Sequence, residues 1–373
     1  MEQVAYVGCR TLENFMFDVF QRVGVPANDA AVCADVLISA DIYGIDSHGI
    51  QRLKPIYIDR IIEKIINPIT NIDIVRDRKT TAVVDGNNGM GQVVGKMAMQ
   101  IAIDKAKEHG LGMVVARNSN HYGIAGYYAR MAIHNNMIGI TGTNARPSIA
   151  PTFGVENMIG TNPITFGIPT DEDFPFLLDC ATSTIQRGKV EQYAKEGKSV
   201  PKGLVIGTDG SSLTNPTQIL KAMIEGNAAL VPLGGIGEET AGYKGYGYAT
   251  VVEILSSALS GAASLKELSG YDKNGKKIPY NIGHYFIAIN IEEFRDLWDF
   301  KKHAGRILRQ LRESKKMPEE KRIYTAGEKE WLAWLERKDK GIPINKGTQK
   351  DIKDLVKILG LKEYDFLSGF TTS

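Results

Sequence analysis

The segment Asp46-Ser47-His48-Gly49-Ile50-Gln51-Arg52 sets an imidazole and a guanidinium four residues apart. One helical turn would place both on the same side. A histidine carries a proton near neutral pH. An arginine holds a carboxylate by two parallel hydrogen bonds. Such a pair suits a small carboxylic acid whose neighbouring carbon is oxidised or protonated. The plainer alternative is a capped helix start with a solvated arginine.

A second histidine stands in Asn118-Ser119-Asn120-His121-Tyr122-Gly123, after a strand-like run and before a helical one. Loops at the ends of parallel strands are where α/β sheets place ligands. The alternative is a polar turn whose histidine serves nearby backbone. A third segment, Gly86-Asn87-Asn88-Gly89-Met90-Gly91-Gln92-Val93-Val94-Gly95, approaches the dinucleotide fingerprint, but its last glycine falls one residue late. Arg117 follows the next strand where an NAD site of that type carries an acid. The glycines are therefore assigned to a tight turn and close helix packing. Four further clusters of small and polar residues flank strand-like runs: Thr143-Asn144, Gly160-Thr161-Asn162-Pro163, Asp179-Cys180-Ala181-Thr182-Ser183 and Gly242-Tyr243-Lys244-Gly245-Tyr246-Gly247. Each alone is a turn signal. The zinc-protease, serine-hydrolase and P-loop motifs do not occur, and no metal site is expected.

The elements that must position these groups follow from periodicity. Leu12, Phe15, Met16, Val19, Phe20 and Val23 mark a helix that Thr11 would cap. Val32, Cys33, Val36, Leu37 and Ala40 mark a second, capped by Asn28 or Asp29 and ended by Gly44. Leu53, Tyr57, Ile61 and Ile65 mark a third that Ser47 would cap, with Pro55 near its start. From about residue 72, β-branched runs appear at 80–85, 112–117, 137–143, 163–168, 176–180 and 287–291. Helical patterns at 92–109 and 124–135 lie between them, which indicates a three-layer α/β domain. Beyond Ile291 the pattern is helical again: Phe294, Leu297, Trp298, Ile307 and Leu311; then Trp331, Trp334 and Leu335; then a last helix capped by Thr348. The arrangement predicts a helical domain split into residues 1–75 and 292–373, with an α/β domain at 76–291 inserted.

The chain has 373 residues, long enough for about two domains. Its 45 Lys and Arg nearly balance 43 Asp and Glu, so a nucleic-acid partner is not expected. Cys9, Cys33 and Cys180 form no disulfide framework, which fits a reducing cytoplasm. The start Met1-Glu2-Gln3-Val4 lacks the basic and apolar stretches of a secretory signal. No apolar run approaches the roughly 20 residues of a membrane span.

Taken in order, the blocks DSHGIQRL (46–53), NHYG (120–123), TN (143–144), GTNP (160–163), DCATS (179–183), GYKGYG (242–247) and GHYF (283–286) resemble the type-2 malate/L-lactate dehydrogenase family, also called sulfolactate dehydrogenase-like. The likeness runs over nearly the whole chain. It implies an NAD- or NADP-dependent oxidoreductase acting on a CH–OH group, with malate and oxaloacetate as first choice. Lactate, sulfolactate, ureidoglycolate or a cyclic imino acid are the related substrates. It also implies a non-Rossmann, three-layer α/β/α cofactor domain with a mixed sheet, and a homodimer. By motif, Ser47 and Arg52 fall on the substrate side. His48 or His121 would carry the proton, and Asp179 would orient the imidazole. His121, Asn144, Asp179, Cys180, Ala181 and Lys244 fall on the cofactor side. Cys180 stands where the family motif has Met, and Ala326-Gly327-Glu328 where it has a P-G-E turn.

Two readings compete from other classes. One is a metal-dependent hydrolase using His48, His121 and Asp179. The other is a small-molecule binding protein without turnover.

Overall fold

The computed structural model describes residues 4–361 and 364; Met1–Gln3, part of the start that lacks the pattern of a secretory signal, lie outside that range. The chain opens with β1 (Ala5–Val7), α1 (Cys9–Arg22) and α2 (Ala27–Ile42). Leu12, Phe15, Met16, Val19 and Phe20 of α1 are fully buried, as the 3.6-residue period requires. The helix starts two residues before Thr11, because the Gly8 carbonyl already accepts from Leu12 N at 3.0 Å. Likewise α2 starts before Asn28 and Asp29, with Pro26 at its N-cap accepting from Ala30 N.

The expected third helix is not continuous. Two 3₁₀ turns, Asp46–His48 and Ile50–Arg52, lead into a π-helical turn at Leu53–Ile58 and a single turn of α3 (Asp59–Ile62). Gly49, at φ −92° and ψ −140°, breaks the helical path between the first two turns. Pro55 has no N–H to give to a regular ladder within the third. Ser47 makes no cap; its hydroxyl meets His48 instead. Leu53, Tyr57, Ile61 and Ile65 nonetheless face inward.

The central layer is built from β2 (Asp73–Asp77), β3 (Thr81–Asp85), β4 (Leu111–Ser119), β5 (Met137–Thr143), β6 (Ile164–Ile168), β7 (Phe176–Cys180) and a later strand at Ile282–Asn290. Between them run α4 (Gly91–His109) and α5 (Ala125–His134), then α6 (Arg187–Glu196), β8 (Val205–Gly207), α7 (Pro216–Glu225), β9 (Ala228–Leu230) and α8 (Gly242–Glu253). The later strand is β10, and it starts five residues before the expected one. The seven-stranded order is β2-β3-β4-β10-β5-β6-β7. Only β3 and β4 pair in parallel; the other neighbours are antiparallel, so the sheet is mixed. Alternate side chains face opposite layers. Val114, Ala116, Phe286 and Ala288 pack with α4 and α5, while Val115 and Tyr285 pack with Val252 of α8.

The chain ends with α9 (Leu297–Glu313), α10 (Glu328–Lys340), β11 (Ile342–Ile344) and α11 (Lys346–Leu359). Asn345, not Thr348, caps α11: its Oδ1 accepts from Thr348 N at 3.0 Å, the spacing a side-chain cap demands. β11 pairs with β1, and Ile342, Ile344, Ile352 and Leu355 share one core with Phe15, Phe20, Leu37 and Leu53. On α9, Arg309 and Arg312 bond Asp171 and Glu172, between β6 and β7.

Candidate active site

Strand direction brings the motifs to one edge of the sheet. The pairings Asp85↔Arg117, Ile282↔Ser119, His284↔Thr143, Gly142↔Ile164 and Ile164↔Cys180 lie at the same ends of their strands. The loops holding His121, Asn144, Asn162 and Ala181 therefore leave or enter the sheet side by side. Gly91, at the start of α4, packs beneath this edge. A Cβ there would stand 2.2 Å from the Asn120 carbonyl oxygen and 2.5 Å from that of His121. The glycine run thus serves a tight turn and close packing, as its spacing suggested.

His121 sits half-buried in the loop after β4. Its Nδ1 lies 2.6 Å from Tyr57 Oη and 3.2 Å from Gly123 N. The Gly123 N–H favours an unprotonated Nδ1, whereas the Tyr57 hydroxyl can either donate to this nitrogen or accept from it. In both tautomers Nε2 is the atom left to meet a ligand. Burial first, then His48, Arg52 and His284, hold the His121 pKa well below the usual histidine value.

His48 stacks on His121 with ring centroids 5.7 Å apart and planes 21° apart. Its Nδ1 lies 2.9 Å from Ser47 Oγ. Burial and the neighbouring Arg52 guanidinium lower His48 to about 4. Arg52 Nε donates to the Ser47 carbonyl. The two terminal nitrogens of Arg52 have no hydrogen-bond partner among the described residues, with the Glu191 carboxylate acting on them only from a distance, which leaves a forked donor for a carboxylate. The start of α6 stands close by: a Cβ on Gly188 would lie 3.9 Å from Arg52 Nη2.

Asp179 makes a different contact from the expected one. Its Oδ2 accepts from Gly126 N at 2.7 Å and its Oδ1 from Thr165 Oγ1 at 2.9 Å. No hydrogen bond joins it to an imidazole. It holds the start of α5, and so the end of the loop that carries His121, where a carboxylate also complements the helix dipole. Asn144 is 1% exposed and wholly engaged. Its Nδ2 donates to Glu253 and to the Ala263 carbonyl, and its Oδ1 accepts from Gly283 N. Glu253 also takes Asn162 Nδ2 at 2.7 Å, so one buried carboxylate ties together the two ends of the connection between β5 and β6. Cys180 ends β7 at the same edge with Ala181 just after it, and Cys180 is partly buried. Lys244 lies in the first turn of α8, exposed and without an ion pair among the described residues.

Tyr57 and His284 were missed as site residues. Tyr57 was assigned to a core face; its offset of five from Arg52 carried no signal of a partner 64 residues away. His284 is completely buried beneath the edge, stacked on Tyr122 at 4.4 Å. Its Nδ1 lies 2.7 Å from Thr143 Oγ1 and its Nε2 2.8 Å from Ser119 Oγ, and each hydroxyl also reaches a backbone carbonyl. The ring is a neutral strut between β4, β5 and β10, and burial lowers it to about 3.

Among the described residues, no group of three His, Cys, Asp or Glu side chains converges as a metal site, and no helix is long and apolar enough to cross a membrane. The profile of a family described as malate/L-lactate dehydrogenase matches residues 7–353. A malate dehydrogenase of Pyrococcus horikoshii is 44% identical over 94% of each chain. An L-sulfolactate dehydrogenase of Methanocaldococcus jannaschii is 39% identical over 95% of this chain and 97% of its own. A crystal structure of malate dehydrogenase from Entamoeba histolytica superposes with a TM-score of 0.93 at 45% identity, covering 96% of this chain and 99% of that one.

Proposed function

The chain belongs to the malate/L-lactate dehydrogenase family, an oxidoreductase acting on CH–OH groups, and from that premise we propose that it interconverts malate and oxaloacetate with NAD or NADP. The observation that carries this reading is the meeting of two stacked imidazoles with a guanidinium whose terminal nitrogens have no hydrogen-bond partner among the described residues.

Arg52 holds the substrate carboxylate by its fork, and His48 and Ser47 flank it. His121 takes the hydroxyl proton in oxidation. To accept it on Nε2, the ring carries its own proton on Nδ1, and the Tyr57 hydroxyl at 2.6 Å is the acceptor for that proton. In reduction the resulting imidazolium returns the Nε2 proton to the new alkoxide. Burial is the main cause that depresses both histidines, and a carboxylate bound beside Arg52 offsets only the smaller share contributed by its positive charge.

The cofactor side is read at the loop after β7 and the start of α8. Ser183 Oγ is buried without a partner among the described residues, and Lys244 is an exposed cation without an ion pair. Together with the backbone of Asp179–Ala181 they fit a ligand that carries hydroxyl, amide and phosphate groups. When bound, NAD or NADP supplies the atom that takes or gives the hydride. Asn144 and Asp179 act there by holding their loops.

We further read the sheet as a three-layer, non-Rossmann cofactor domain at 76–291, inserted in a helical domain formed by 1–75 and 292–373. The exposed Trp298, Ile307 and Leu311 on α9 support a homodimer. Three unpaired cysteines suit a cytoplasmic setting. Oxidation of reduced nucleotide should be followed with both cofactors against oxaloacetate, pyruvate, sulfopyruvate and a cyclic imine. Fastest turnover with oxaloacetate is expected. No turnover with any of them would overturn the reading.

A further inference from the structure

We propose that Asp41 and Arg337 are positioning residues for the reaction, bracing the 46–52 turn from two helices; this rests on reading that turn as the substrate side. Asp41 lies in the last turn of α2 and is 1% exposed. Its Oδ2 accepts from Ile50 N at 2.8 Å. Its Oδ1 occupies the space beside Gly49 so fully that a Cβ there would lie 1.8 Å away. The carboxylate is thus packed into the turn, and only glycine at 49 allows it.

Arg337 reaches the same turn from α10. It donates to the Asp41 carbonyl at 2.5 Å. Its fork also takes the Asp46 carboxylate, with Nη2 3.1 Å from Oδ2. Asp46 at one side and Ile50 at the other are therefore both pinned. Between them lie Ser47 and His48, and Arg52 follows two residues later. A pair of 3₁₀ turns has little hydrogen bonding of its own to fix its shape. The brace supplies what a continuous helix would have supplied. Small errors in placing reacting groups cost rate steeply, so the brace acts on catalysis and not only on folding.

The test compares Arg337→Met, Arg337→Lys, Asp46→Asn and their double variant, with Arg52→Ala as control. KM and kcat for the keto acid, affinity for reduced nucleotide and Tm are measured on folded protein well below its Tm. Losing a charged hydrogen bond in the brace should lower kcat/KM roughly tenfold in Arg337→Met, with nucleotide affinity unchanged and partial recovery in Arg337→Lys. The double variant should be no worse than Arg337→Met, because that substitution already removes the link to Asp46. Asp46 is half exposed, so Asp46→Asn carries the same test if Arg337→Met does not fold. Wild-type KM and kcat in folded Asp46→Asn and Arg337→Met overturn the brace, as does an equal loss of nucleotide affinity. If Arg52→Ala loses activity while these variants do not, the brace alone fails. If Arg52→Ala is also unaffected, the substrate reading of the turn fails and the brace falls with it.

Discussion

Tyr57 Oη stands 2.6 Å from His121 Nδ1, joining the π-helical turn of the first seventy residues to the loop after β4. The hydroxyl is the acceptor that allows Nε2 to take a proton. Tyr57→Phe removes that acceptor and leaves Gly123 N–H to favour the opposite tautomer. A single hydrogen bond of this kind is worth about 0.5–1.5 kcal/mol. We expect kcat for oxidation to fall about two- to tenfold, with nucleotide affinity unchanged. An unaltered kcat would show that the tyrosine serves packing alone.

The two stacked histidines separate by kinetic signature. His121→Asn should lose turnover while still binding reduced nucleotide. His48→Asn should chiefly raise the KM of the acid. A proton carrier acts in the transition state and appears in kcat, whereas uniform binding appears in KM. In the oxidative direction only the His48 variant should keep the acid-side limb of the pH–rate profile, where protonation of one essential base slows turnover. The reverse pattern would transfer the proton to His48.

Arg52→Ala should lower kcat/KM by about ten- to a hundredfold, since charged hydrogen bonds are worth about 1.5–3 kcal/mol. Lysine should recover only part, because it lacks the planar fork. Steady-state assay of both variants decides this, and a near-normal alanine variant removes Arg52 from the substrate site.

His284 ties stability to pH. Its folded pKa is about 3, below the ordinary 6.5, so between these values the unfolded chain binds a proton that the folded one refuses. Its neutral burial is therefore fully supported above about pH 7.5, and stability falls as pH drops through 6.5 toward 3. The loss from this one ring is at most about 5 kcal/mol. Urea unfolding of His284→Asn between pH 8 and 4 should show a shallower acid branch. An identical slope would place the acid sensitivity elsewhere.

Side-chain type and period carried much of the architecture. The apolar faces of α1 and α2 and the strands at 137–143 and 176–180 were legible because each is a local pattern of burial. Caps were less so: Thr11 and Thr348 were plausible, but Gly8 and Asn345 hold the helix starts because the chain enters there. β2 was missed because all five of its residues are exposed, so it has no alternating apolar face to read.

His48, Arg52, His121 and the glycine- and asparagine-rich loops were recognisable by kind and order. What each one touches was decided only by the fold. Strand direction in a mixed sheet depends on pairings between distant segments, and it is this that brings the loops after β4, β5 and β7 to one edge. The same is true of Asp179, whose carboxylate serves Gly126 and Thr165 rather than an imidazole, and of Asn144, whose groups are all taken by neighbours far along the chain. Asp41 and Arg337 carry no local signature at all. A charged residue reveals a partner in sequence only when the two lie within a turn of each other, and these two meet across 296 residues. The residue types thus determined which chemistry is available, and tertiary contacts determined which groups are free to perform it.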